Sequence, residues 1–450
     1  MNVSKVRWIS TNKEKAWETS DVPRTTVDNV NLELDGRQYQ RVNGFGGCFN
    51  ELGWIALSYL DEKEKNKVLD ELFDPDAGCR FNLCRLPIGA NDYATEWYSY
   101  NENDKDYLME KFSIDRDFKY LIPYIKEGLF RNPYMKLFAS PWSPPIWMKF
   151  PKAYNYGSLI WEEKILNAYA LYFIKFIEAY RAEGIRIDQI HIQNEPTADQ
   201  KFPSCVWKGE QLRDFIRDYI GPLFEKRNME TEIWLGTINS PNTSDYPATD
   251  YDYYANMVLS DENARRYIKG VGYQWGGKHA IQRTHEAWPD MPLMQTENEC
   301  GDGSNSWEYA RYIFNLIKHY FMNGVESYIY WNIVLLPDGM STWGWKQNSL
   351  ITVDPETSKA IFNPEFYLMK HFSHYVVKGA VRLGLMGYWA GNSLAFQNPD
   401  GTIILIVSNF FSKTCKLILG EDSKKVLLEL KPESFNTIII DTMDTDRRSI

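Results

Sequence analysis

Between Asn43 and Asn332 the chain repeats one unit, a short apolar run that ends in polar residues followed by a longer amphipathic stretch. Eight runs can be marked: Gly44 to Cys48, Asn82 to Leu86, Lys136 to Ser140, Gln189 to Gln193, Ile233 to Thr237, Gly270 to Tyr273, Pro292 to Thr296 and Ser327 to Trp331. Strands that alternate with helices pair in parallel, because each helix carries the chain back across the sheet, and eight of them close a barrel. The clearest helix lies within Trp161 to Glu183, where Ile165, Ala168, Tyr169, Tyr172, Phe173, Phe176, Ile177 and Tyr180 recur at helical spacing and Gly184 follows as a stop. Tyr312, Leu316, His319 and Tyr320 before Gly324 mark another, and its aromatics and His319 are read as packing.

A barrel takes about 250 residues, so a chain of 450 has room for a second domain. After Asn332 the pattern becomes β-rich, with Thr402 to Val407 and Thr437 to Ile440 as apolar runs and turn signals at Asn398-Pro399-Asp400-Gly401 and Gly420-Glu421-Asp422. The fold expected is therefore α/β: a (β/α)8 TIM barrel over 41–362, with an antiparallel β-sandwich built from 1–40 plus 363–450. Val3 to Ser10 and Asn31 to Glu33 are the N-terminal strands expected to join the sandwich.

Two of the apolar runs end on glutamate, in Ile190-His191-Ile192-Gln193-Asn194-Glu195-Pro196 and in Pro292-Leu293-Met294-Gln295-Thr296-Glu297. Pro196 is expected to hold Glu195 in the extended region at the carboxyl end of its strand, the end at which parallel barrels keep their chemistry. A lone glutamate is usually a solvated surface residue. Two strand-end carboxylates on one barrel instead suit glycosidic bond cleavage, which needs a proton donor for the leaving oxygen and a carboxylate on the other face of the sugar. Glu299 rivals Glu297, since period-2 alternation would put both on one face if the strand ran on through Cys300. Asn194 could bond a hydroxyl next to the reacting carbon; Arg85 could keep a neighbouring carboxylate ionised, with a purely structural ion pair equally open. Trp142, Trp147, Trp275 and Trp331 follow strand ends and could wall a pocket or merely cap the barrel.

Composition narrows the partners. The formal net charge is -10 with no basic run, which disfavours nucleic acid. No segment has the length of a membrane span, and no apolar leader precedes Asn12 to Glu18, so a cytoplasmic protein is expected; a leader removed by processing would leave the same start. The 6 cysteines lack CxxC spacing and the 6 histidines include no HExxH, which argues against a zinc site and metal hydrolysis, and glycosidic cleavage by two carboxyls is expected to need no metal or cofactor. Cys48 and Cys300 are read as small buried hydrophobes.

The chain also resembles glycoside hydrolase family 30, which includes glucosylceramidases, β-xylosidases and β-1,6-glucanases. The likeness rests on Gly44-Phe45-Gly46-Gly47, Arg85-Leu86-Pro87-Ile88, Ala139-Ser140-Pro141-Trp142-Ser143-Pro144-Pro145-Ile146-Trp147-Met148-Lys149, Asn194-Glu195-Pro196, Thr296-Glu297 and Trp331-Asn332, in that order. It implies a retaining double displacement with Glu195 as acid/base and Glu297 as nucleophile. Arg85 and Asn194 fall on supporting positions, and Glu51, Trp142 and Trp331 on positions lining the terminal sugar, with Glu51 standing where the family has an aspartate. On the sixth strand Gln274-Trp275-Gly276 replaces a His-Trp-Tyr run, losing an aromatic hydroxyl beside the nucleophile. The implied substrate is a terminal β-linked sugar, with β-glucosidase activity first and β-xylosidase or endo-β-1,6-glucanase next. A carbohydrate-binding protein without turnover is the reading from another class, and a proton donor facing a nucleophile counts against it. Sugar and linkage are expected to be set by the loops Asp92 to Asp106, Lys152 to Gly157, Asn239 to Asp252 and Leu336 to Gln347.

Overall fold

In a computed structural model of the chain, residues 3–22, 24–25, 29–239, 254–421 and 424–442 are described. Most of the expected specificity loop Asn239 to Asp252, and Asp422 of an expected turn, lie outside them.

Eight parallel strands close into a barrel. In chain order they are β1 (Gly44–Cys48), β2 (Leu83–Pro87), β3 (Lys136–Ser140), β4 (Gln189–His191), β5 (Glu232–Ile238), β6 (Ile268–Gln274), β7 (Leu293–Glu297) and β8 (Val325–Asn332). The ring closes where β8 pairs with β1 and β3 with β4. Each of the eight apolar runs is one of these strands, because buried strands in a parallel barrel read as continuous hydrophobic segments. The lower interior is filled by Leu83, Phe138, Trp234, Met294 and Ile329, from five different strands. Close approach explains the glycines of β1: a Cβ on Gly46 would stand 2.0 Å from the Leu83 carbonyl oxygen.

The helix Glu163–Ala182 buries Ile165, Ala168, Tyr169, Tyr172, Phe173, Phe176, Ile177 and Tyr180 as its spacing requires, and Gly184 leaves it with φ +76°. The helix Trp307–Met322 packs its apolar face inward, and His319 bonds the Lys278 carbonyl.

The second domain is a seven-stranded antiparallel sheet facing a three-stranded one. N-terminal strands Val3–Thr11, Glu18–Asp21 and Glu33–Arg41 belong to the larger sheet and Arg24–Thr25 to the smaller, so both chain ends build the sandwich. Period-2 alternation divides the labour of its strands. Ile403, Leu405 and Val407 face Leu417, Leu419 and Leu428 inside the sandwich, whereas Ile404 and Ile406 join the core shared with the barrel. Gly401 turns with φ +89° as expected, but Gly420 and Glu421 are the last residues of the strand Cys415–Glu421, because they pair with Lys425 and Lys424.

The helix Pro364–Ser373 lies at the seam between the domains. There the buried His371 bonds Thr437 at 2.8 Å and Thr11 at 2.9 Å, tying the helix to strands from both ends of the chain.

Candidate active site

At the carboxyl end of the barrel, polar side chains from six strands or the turns just after them converge. Arg85, near the end of β2, has its side chain 0% exposed. Its Nη1 donates to Glu297 Oε2, and its Nη2 to Ser140 Oγ at 2.8 Å and Asn194 Oδ1 at 2.6 Å. The guanidinium lies 4.4 Å from the Trp142 ring and 5.5 Å from Trp331, and those two indoles stack on each other 5.5 Å apart. Trp331 is set by a bond from its Nε1 to Gln347, at 2.8 Å. A cation this deep is stable only when paired and hydrogen-bonded. Arg85, Asn194, Glu297, Trp142 and Trp331 are thus gathered as one cluster.

Glu297 ends β7, where the ladder stops, so the alternation that would align Glu299 with it does not operate. Glu299 turns elsewhere, its Oε2 accepting from the Tyr312 hydroxyl at 2.5 Å. Glu195 differs from expectation in its backbone. β4 ends at His191, and Glu195 takes a left-handed φ of +49° instead of the extended conformation. Three hydrogen bonds outweigh a strain of roughly 1–2 kcal/mol: Asn194 N–H to Pro141 O at 2.7 Å, Glu195 N–H to Thr237 O at 2.9 Å, and Ala198 N–H to Glu195 O at 2.8 Å.

Three sequence candidates, Glu51, Trp275 and Trp147, do not join the cluster. Glu51 is buried at the start of the helix Glu51–Leu57, and its oxygens accept from Thr95 N and Oγ1 at 2.7 and 2.8 Å and from Arg116 at 3.2 Å. Trp275 opens a helical turn over Trp275–His279, packs on the barrel core and carries the Lys278 ammonium 5.3 Å from its ring. Trp147 likewise points to structure, its Nε1 donating to Asn101 O at 2.9 Å. Cys48 is buried and Cys300 half-buried, and both pack against the tryptophan pair as apolar groups.

Three residues that sequence reading named without assigning them to the site stand in the cluster. Gln274, the last residue of β6, donates from Nε2 to Asn194 Oδ1 at 2.7 Å, to Thr237 Oγ1 at 3.1 Å and to Glu297 Oε2 at 3.1 Å. Thr237, on β5, also donates to Asn194 Oδ1 at 3.1 Å. Asp92, five residues after β2, is buried beside the indoles of Trp142 and Trp343 and within the field of Arg85. Gln274 and Thr237 carried the same mark as the glutamates, a polar residue at the end of an apolar run.

Three carboxyls therefore surround one guanidinium, and the protein cannot keep all of them charged. Burial raises Glu195 well above the ordinary range, with the negative charges of Glu297 and Asp92 adding and Arg85 opposing. Burial raises Glu297 to about 7, with Arg85 holding it down. Asp92 is pushed up by burial to about 6. The pair shares its protons, and Glu195, with no cation bonded to it, keeps the more tightly held one.

Residues 42–376 match the glycosyl hydrolase family 30 TIM-barrel domain, and residues 379–438 the glycosyl hydrolase family 30 beta sandwich domain. The chain belongs to glycosyl hydrolase family 30. This family 30 member is 30% identical over 405 residues to the protein named putative glucosylceramidase 1 of Caenorhabditis elegans, covering 84% of this chain and 76% of that one. It is 26% identical over 431 residues to the endo-1,6-beta-D-glucanase of Neurospora crassa, covering 90% and 85%. Among solved structures it resembles SrfJ of Salmonella typhimurium, with a TM-score of 0.88 and 26% identity over 97% of this chain and 100% of the other. The chain is accordingly a glycoside hydrolase, which sets aside a binding protein without turnover. Among the described residues no helix is long and apolar enough to cross a membrane.

Proposed function

We propose that this family 30 hydrolase cleaves a terminal β-linked sugar with retention of configuration, Glu297 acting as nucleophile and Glu195 as acid/base, with β-glucosidase or glucosylceramidase-like specificity first. The observation that carries the reading is the unequal treatment of the two glutamates: Glu297 bonds Arg85 and Gln274, while Glu195 has its affinity for a proton raised most. Environments that push two carboxyls apart in acidity assign the acid and the ion.

Both donors land on Glu297 Oε2, which leaves Oε1 to attack the anomeric carbon. As the bond to the leaving oxygen lengthens, Glu195 passes its proton to that oxygen. Water then enters, Glu195 takes its proton, and the hydroxide displaces Glu297 from the sugar. Asn194 Oδ1 already accepts from Arg85, Gln274 and Thr237, so its Nδ2 is the end that faces a sugar hydroxyl, an interaction that strengthens as positive charge grows on the ring. Asp92 supplies an acceptor for outer hydroxyls, the role the resemblance had placed on Glu51. Trp142 and Trp331, stacked on each other and against Arg85, wall the pocket beside the guanidinium. A terminal sugar is supported by the segment Leu336–Gln347, which is held against the pocket by Thr342 N–H on Asp92 O at 3.0 Å and by the Tyr93 hydroxyl on Gly339 O at 2.8 Å.

Aryl β-glycosides and β-linked disaccharides, 1,6-linked ones included, test the substrate, and NMR of the first-formed anomer tests the stereochemistry. Retention with release of a terminal glucose is expected. Inversion would remove the nucleophile from the scheme, and cleavage only within longer 1,6-linked chains would move the specificity to an endo-glucanase.

A further inference from the structure

We propose that Gln274 is a positioning residue of the reaction, its carboxamide NH2 fixing both which oxygen of Glu297 attacks and which end of Asn194 meets the sugar. This rests on the nucleophile assigned to Glu297 above.

A carboxylate turns easily about its terminal bond, whose torsional well is broad and nearly two-fold, so one contact does not decide which oxygen points at substrate. Arg85 supplies one contact through Nη1, its Nε and Nη2 being engaged with Ser140, Asn194 and Thr237. The second contact on the same oxygen comes from Gln274, placed opposite Glu297 by the β6–β7 register. Two donors on Oε2 hold the carboxylate against rotation and keep Oε1 forward.

The same NH2 group reaches Asn194 Oδ1 and Thr237 Oγ1. An amide is read correctly only when its neighbours specify its ends, and here they do: turned over, the Gln274 oxygen would face a carboxylate oxygen and an amide oxygen. Asn194 is specified in turn by the donors on its oxygen. Gln274 is fully buried, and the Tyr320 hydroxyl donates to its backbone carbonyl, which anchors the end of β6. It is thus the joint between the turn that carries Glu195 and the strand that carries Glu297. A neutral donor suits this place, since a second cation beside Arg85 would draw the proton off Glu195 as well.

The test uses the full chain, the aryl β-glycoside that wild type hydrolyses best, and the variants Gln274→Met and Gln274→Glu. Gln274→Met keeps the length of the side chain and removes the donor. We expect kcat to fall about 10- to 100-fold with KM within about 3-fold, and the acid limb of the kcat/KM profile to move to higher pH, as Glu297 loses a donor that favours its ionised form. Wild-type kcat with an unmoved acid limb, or a loss confined to KM, would overturn the proposal. Melting curves show whether each variant is folded. Should Gln274→Met not fold, Gln274→Glu, which has the native shape, puts a fourth carboxyl against Glu297 that donates only while protonated, so kcat must fall as pH rises through its titration; a wild-type pH profile of kcat there overturns it too. Labelling of wild type by a slow-turnover 2-fluoro glycoside separates the two failures. Label away from Glu297 refutes the nucleophile, whereas label on Glu297 with an undisturbed Gln274→Met refutes only Gln274.

Discussion

The carboxyls at the mouth of the barrel and His371 at the seam against the sandwich are both buried ionisable groups, yet they respond to pH in opposite directions. At the mouth, one guanidinium serves three carboxyls, all with raised proton affinity. At the seam, His371 sits between two threonine hydroxyls, and burial pushes it down from 6.5 to about 3. Folding makes the mouth hold protons that an unfolded chain would release, so its contribution to stability falls as pH rises from the ordinary carboxyl range through about 7. At the seam His371 refuses a proton that an unfolded chain would take, so its contribution falls as pH drops from 6.5 toward 3, while Glu365 on the same helix, raised by burial to about 7, goes the way of the mouth. Each region resists acquiring charge. The neutral contacts of His371 with Thr11 and Thr437 make it a fastening; surplus carboxyls make the mouth costly.

The sharpest break in that comparison is Glu297→Gln, which should lower turnover by about four orders of magnitude or more, as removal of a member of a concerted unit does, and flatten the loss of stability at neutral pH. Full activity in this variant, with loss in Glu299→Gln instead, would relocate the nucleophile to the loop. Next comes Glu195→Gln, expected to cost about 10²- to 10⁴-fold on substrates with poor leaving groups and far less on activated ones. Its pH profile on activated substrates should retain the acid limb, set by Glu297, and lose the alkaline limb, set by the Glu195 proton. A surviving alkaline limb would assign the donor elsewhere.

Asp92 and Glu51 sharpen the boundary of the mouth. Asp92→Asn should raise KM about tenfold, the loss of one charge-assisted hydrogen bond, whereas Glu51→Gln should leave KM within about threefold and act on melting temperature through Arg116. Equal KM effects would restore Glu51 to the sugar site. The smallest effect belongs to the seam. His371→Gln should leave kcat unchanged and remove up to about 1.4 kcal/mol of stability loss per pH unit below 6.5. Chemical denaturation at pH 5 and pH 7 measures it; a wild-type pH slope in the variant would show that His371 takes no part in the acid response.

Apolar periodicity is a local property, and a chain displays it before it folds. Eight strands, the helix ending before Gly184 and the contribution of both ends to the sandwich were legible for that reason, as were Glu195 and Glu297 at the close of apolar runs. The left-handed turn at Glu195 was not, because backbone hydrogen bonds to Pro141 and Thr237 decide it, and those residues stand just after one neighbouring strand and on another. Nor were the different surroundings of Glu51 and Asp92: both acids follow strand ends, and only the packing shows that Arg116 pairs with one while the other lies beside the Arg85 cluster. The sequence by itself determined which residues stand at the barrel rim. Only the tertiary structure decided which of them meet, since closure of the barrel sets the register that brings Gln274, Asn194 and Arg85 onto shared atoms.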